Sequence, residues 1–86
     1  MDDKRINAQK QAAKYDADMV GYTYRHFKGN YYEVVAIGVH SETADILVIY
    51  QDDEHRVWAR PLDMFLSPVD KEKYPDVEQE MRFEKV

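Results

Sequence analysis

The sequence predicts a mainly β domain, a small closed or partly open barrel of about five strands, preceded by an N-terminal helix. Three observations carry this. Helical spacing of apolar residues stops near residue 20. From Tyr22 onward, β-branched and aromatic residues come in short runs separated by Gly, Asn, Ser and Asp. The chain has 86 residues, enough for one hydrophobic core. We therefore divide it into a helical extension over 1–19 and a barrel domain over 20–86.

In the extension, Ala8, Ala12, Tyr15 and Met19 fall at i, i+4, i+7 and i+11, one narrow apolar stripe. Asp2 or Asp3 is placed to cap its start, and Gly21 to take the left-handed conformation after its end. Half of the stripe is alanine, and a helix this short is marginal alone in water. It either docks through Tyr15 and Met19 or frays.

Tyr22 to Phe27 reads as the first strand and Lys28-Gly29-Asn30 as a tight turn, with Gly29 supplying positive φ. Tyr31 to His40 is a long second strand, in which Gly38 suggests a bulge or bend. After a turn over Ser41 to Asp45 comes Ile46 to Gln51. Its Ile46-Leu47-Val48-Ile49-Tyr50 core is apolar on both faces, as expected near the centre of a sheet. Asp45, Asp52 and Asp53 flank it and guard it against aggregation. Arg56 to Arg60 is a fourth strand stopped by Pro61. Leu62 to Phe65 fits one helical turn, with Met64 and Phe65 placed to plug the barrel end. Beyond Pro75, Asp76 to Glu80 fits a second helical turn, and Met81 to Val86 returns as the closing strand. Closure removes the edges that so small a sheet otherwise exposes.

Composition excludes several function classes. With no cysteine there is no disulfide, no thiolate-bound zinc and no thiol nucleophile. No apolar run approaches the roughly 18 residues of a membrane span, and the first twenty residues are charged and interrupted, so the reading is cytoplasmic with no membrane partner. Twelve basic residues stand against 17 acidic ones, for a net charge of −5, and no segment is net basic. Single-stranded nucleic acid is thus disfavoured despite Tyr22, Tyr24, Phe27, Tyr31, Tyr32 and Trp58, whose plainer role is core and cross-strand packing.

The run Tyr24-Arg25-His26-Phe27-Lys28-Gly29-Asn30-Tyr31-Tyr32-Glu33-Val34 resembles the opening motif of the domain of unknown function 1653 family of small bacterial proteins. His40-Ser41-Glu42-Thr43, Leu47-Val48-Ile49-Tyr50, Trp58-Ala59-Arg60-Pro61-Leu62-Asp63-Met64-Phe65 and Arg82-Phe83 follow in the family's order. The resemblance covers about residues 21–86 and implies an SH3-like small barrel. It implies no activity. The chain departs from the family pattern in its short, acidic Gln51 to Val57 connection and in its N-terminal helix.

Arg25, His26, Lys28, His40, Arg60 and Arg82 recur beside strand aromatics. Brought together near Trp58, several of them would make a groove for a carboxylate, a phosphate or a polar ring, since guanidinium is a planar fork for such groups. From these we take Arg25, His40, Trp58, Arg60 and Arg82 as candidate ligand-binding residues. Strand alternation sets a limit: Tyr24, His26 and Lys28 share one face, Arg25 and Phe27 the other, and Trp58 and Arg60 a common face. In the plainer alternative, Arg60 and Arg82 pair with Glu33, Glu42 or Glu84, and His40 bonds the Ser41-Glu42-Thr43 turn. The three histidines lie in separate elements without metal-ligand spacing. Asp52-Asp53-Glu54 reads as a solvated turn. Ser41 or Thr43 next to His40 is adjacency rather than triad geometry. With Gly21, Gly29 and Gly38 alone there is no phosphate loop. We therefore expect no catalysis, no cofactor and no metal. The leading expectation is a non-catalytic binding or interaction module for a small polar ligand or peptide. The alternative is a structural domain that forms a homodimer through its N-terminal helix.

Overall fold

The computed structural model describes residues 3–86. Helix α1 spans Asp3–Met19. Five strands follow: β1 Thr23–His26, β2 Tyr31–Val39, β3 Ile46–Gln51, β4 Val57–Pro61 and β5 Phe83–Lys85. One helical turn, α2 Leu62–Phe65, comes after β4. The strands form a single antiparallel sheet in the order β4-β3-β2-β1-β5.

Helix α1 docks. Ala8, Ala12 and Met19 are buried, and Tyr15 packs on the sheet core. Asp3 lies in its first turn, where negative charge meets the positive end of the helix dipole; Asp2 lies outside the described residues. Gly21 takes φ 87°, and its N–H donates to the Val34 carbonyl at 2.8 Å, turning the chain into the sheet. The Lys85 ammonium donates to the Asp18 carbonyl at 2.6 Å and stands 4.0 Å from the Tyr22 ring. A cation there suits the negative end of the helix.

Strand alternation defines the core face. Cross-strand partners Tyr24 and Tyr32, Val34 and Tyr50, and His26 and Phe83 share it. So do Val48 with Arg60, and Tyr50 with Trp58. Phe65 of α2 is fully buried, stacked on Phe83 at 4.0 Å and set edge-on to Tyr24 and Tyr50. Of the two residues expected to plug a barrel end, Phe65 packs into the core of the sheet instead, and Met64 is 47% exposed. T-shaped contacts among Tyr32, Tyr50 and Phe83 extend the cluster.

The expected closure does not occur: β4 and β5 are the two edges of the sheet and do not pair, so the sheet stays open. At three residues β5 is short, and a 17-residue loop separates it from α2. The irregularity expected at Gly38 lies instead at Val35, between the Val34–Tyr50 and Ala36–Ile49 pairs, while Gly38 pairs regularly with Leu47. The extra residue carries Ile37 and Val39 onto the core face, opposite Val48 and Ile46. The centre of the sheet is β2; β3 is internal, but Leu47 and Ile49 lie on the face opposite Val48 and Tyr50 and are only half-buried, so β3 is not fully covered on both faces as expected.

The loop that leads to β5 has no helix at Asp76 to Glu80. Here the Lys71 ammonium binds the Val77 and Gln79 carbonyls. Buried Gln79 donates through Nε2 to the carbonyls of Arg25 at 3.0 Å and Met81 at 2.8 Å. These bonds tie the loop to β1 and to the approach to β5. They also fix where Arg82 leaves the chain.

Candidate functional site

A cleft of about 310 Å³ opens beside the uncovered end of the core face, lined by His26, Phe27 and Lys28, by Arg60, by Asp70, Lys73 and Tyr74, and by Arg82. Strand β1 ends at His26, which frees Phe27 and Lys28 from alternation, and the Phe27 ring folds to 4.5 Å from the His26 ring. Gly29, at φ 103°, permits this turn, which Gly29 N–H closes onto the His26 carbonyl at 2.8 Å. Across the cleft the Tyr74 ring packs 4.9 Å from Phe27. Lys28 Nζ lies 5.9 Å from the Phe27 ring and 5.6 Å from that of Tyr74, and Lys73 Nζ lies 5.6 Å from Tyr74.

Arg60 and Arg82 are held by neutral oxygens. Arg60 Nε donates to the Tyr50 hydroxyl at 3.2 Å, and its guanidinium stands 5.6 Å over Phe83. Arg82 Nε donates to Ser67 Oγ at 3.1 Å. The expected ion pairs to Glu33, Glu42 or Glu84 are absent among the described residues. Glu33 instead accepts from Gln51 Nε2 at 2.9 Å. Both arginines thus keep their terminal nitrogens for a ligand or for water.

Burial pushes the His26 imidazole below its ordinary value, and the neighbouring Arg60, Arg82 and Lys28 charges push the same way. His26 Nδ1 accepts the Lys28 N–H at 3.1 Å, which assigns the ring proton to Nε2. Asp70, the one carboxylate on the wall, receives the Glu72 and Lys73 N–H groups on Oδ1 at 3.1 and 3.4 Å. It shapes the turn that carries Lys73 and Tyr74.

Of the five sequence candidates, the structure brings Arg60 and Arg82 to this cleft. Arg25 lies on the opposite face of β1, opposite Tyr31 and Glu84, in a different hollow beside Gln79 and Lys85. His40 accepts the Glu42 and Thr43 N–H groups on Nδ1 at 3.1 and 3.2 Å, the turn role anticipated for it. Trp58 shares the face of Arg60, but its Nε1 points to Asp52 at 3.4 Å, outside the cleft lining. Sequence reasoning missed Lys73 and Tyr74. The available signal was Tyr74 itself, a lone aromatic in a charged stretch that needs an apolar neighbour.

A larger hollow of about 610 Å³ lies between α1 and α2 and is lined by Ala8, Ala44, Ile46, Leu62 and Met64 among others. It contains no comparable set of unpaired charges. The Asp52 turn is a third polar centre. Desolvation opposes ionisation of its carboxyl, but hydrogen bonds from the Arg56 side chain and backbone, Trp58 Nε1 and the Glu54 N–H lower it from 3.8 to about 2.

The cleft and the sheet around it lie within residues 22–85, which match the family model described as Protein of unknown function (DUF1653). The chain belongs to this family. Comparison with curated proteins and with solved structures gave no match.

Proposed function

We propose that this protein is a non-catalytic binding module whose cleft takes the negatively charged group of a small polar ligand or peptide. One observation carries the reading. In a chain of net charge −5, Lys28, Arg60, Lys73 and Arg82 converge on one hollow, and neither arginine is neutralised by a carboxylate. Leaving positive charges near one another costs stability unless something compensates them. Arginine forks match carboxylate and phosphate oxygens in pairs. Cations and aromatic faces dominate the lining, which suits holding an anion, and recognition is the reading this supports.

We also read the open sheet as an SH3-like arrangement. The single helical turn before the last strand and the bulged, central second strand support this. A cytoplasmic setting remains part of the proposal, consistent with the finding that no helix among the described residues is long and apolar enough to cross a membrane.

Calorimetric titration with inorganic phosphate, acetate and an acidic hexapeptide tests the reading. Binding of at least one of these, lost by tenfold or more in the Arg60→Ala, Arg82→Ala double variant, is the expected result; about 1.4 kcal/mol corresponds to each tenfold. Equal affinity in the double variant, or no binding of any anion, overturns it.

A further inference from the structure

We propose that the charged group this cleft selects is a dianionic phosphoryl group, carried as a phosphomonoester on a small molecule; this rests on the anion-binding reading above. Four cations reach the hollow from four separate pieces of chain: Lys28 from the β1–β2 turn, Arg60 from β4, Lys73 from the Asp70 turn and Arg82 from the approach to β5. A planar carboxylate offers two oxygens and one charge, which leaves most of this set unanswered. A phosphoryl group offers three acceptor oxygens and up to two charges.

The donors are already positioned for it. Each arginine spends Nε on a neutral hydroxyl, Tyr50 for Arg60 and Ser67 for Arg82, which orients the guanidinium while leaving its outer edge open. The Phe27 and Tyr74 rings hold the Lys28 ammonium at the rim. His26 lines the hollow with its Nδ1 occupied by the Lys28 N–H, which puts the proton of the neutral ring on Nε2. The cleft, about 310 Å³, lies at the small end of the roughly 300–1,000 Å³ typical of small-molecule sites. That leaves room beside the phosphoryl group for a short alcohol portion against the two rings.

This assignment has a pH signature. The groups facing His26 are Lys28 from its own turn, Tyr32 from β2, Arg60 from β4 and Arg82 and Phe83 from the last strand region, with Asp70, Lys73 and Tyr74 across the cleft. By residue type, imidazole alone among them ordinarily changes charge between pH 5.5 and 7.5. If binding required a charged His26, affinity would fall as pH rises. A neutral His26 and a ligand that must be a dianion give the opposite sign, since the second phosphate proton leaves near pH 6.

The test is calorimetric titration of the full chain with glycerol 2-phosphate, sulfate and acetate at pH 5.5 and 7.5. We expect glycerol 2-phosphate to bind about fourfold more tightly at the higher pH, following its dianion fraction. Sulfate, a dianion throughout, should show no such rise, and acetate should bind at least about tenfold more weakly than the ester at pH 7.5. In Lys73→Ala, which removes an exposed side chain, the ester should lose about two- to fivefold and acetate less. Acetate matching the ester, or ester affinity falling as pH rises, overturns this inference and leaves the anion reading standing. A phosphoserine peptide that binds where glycerol 2-phosphate does not overturns the small-molecule source. Failure of every anion to bind retires both readings.

Discussion

The Asp52 turn and the Arg60–Arg82 cleft use the same side-chain chemistry to opposite ends. In the turn, Arg56 Nε reaches Asp52 Oδ2 at 2.8 Å, a second nitrogen of Arg56 lies 3.7 Å from Glu54, and Asp52 gathers two backbone N–H groups besides. Every strong donor there is answered within seven residues of chain. In the cleft, two arginines donate through Nε only to neutral hydroxyls and leave their outer nitrogens open. An arginine answered by local carboxylates builds a loop; one oriented by hydroxyls and an aromatic face is poised for something outside the chain.

The largest effect should come from the double variant Arg60→Gln, Arg82→Gln. Anion binding should fall below detection in calorimetry, while the acid-unfolding profile set by the Asp52 turn stays as in the parent. A variant that still binds breaks the comparison at its stronger side.

Next is Asp52→Asn. Because the folded carboxyl titrates near 2 against 3.8 for the free group, the stability it supplies is present above about pH 4 and is lost as pH falls towards 2. The substitution should lower the thermal midpoint at neutral pH and flatten the pH dependence of that midpoint between about 4 and 2. Anion affinity should not change. An unaltered acid limb would show that the turn's hydrogen bonds are not what holds Asp52 ionised.

A smaller effect belongs to His26. Its folded value lies below that of the unfolded chain, so its contribution to stability is present above about pH 6.5 and declines as pH falls below that. His26→Gln should remove this slope in thermal scans without ligand, and a persisting slope would place its cause elsewhere. The smallest effect is expected of Trp58→Phe. It deletes a 3.4 Å hydrogen bond to Asp52 and should leave anion affinity within about twofold of the parent. A larger loss would return Trp58 to the site.

Local chemistry made most of the fold legible in the sequence. The apolar stripe of α1, the positive φ at Gly21 and Gly29, the helical turn after Pro61 and the four longer strands follow from spacing and turn residues within a residue or two. The His40 turn was readable because a side-chain acceptor two and three residues before free N–H groups is a local motif. The open edge between β4 and β5 was not readable, since pairing there depends on how a 17-residue loop lies. Nor was the bulge at Val35, which carries no glycine to mark it and is set by fitting Val34 and Ile37 to the same core. The site was half legible. Arg60 and Arg82 stood out as residue types, but their anchors, Tyr50 and Ser67, are ten and fifteen residues away in the chain. Lys73 and Tyr74 meet Phe27 and Lys28 only through tertiary folding, which no local pattern encodes.

The most direct measurement is a nitrogen–proton correlation spectrum of the labelled protein, including the arginine side-chain Nε–H signals, recorded as inorganic phosphate is added. Anion binding at the cleft should give saturable shifts centred on Lys28, Arg60, Lys73 and Arg82, with the Arg56 and Trp58 side-chain signals unmoved. Shifts spread evenly over the surface lysines, or saturation at Arg56 with Arg60 and Arg82 silent, would contradict it.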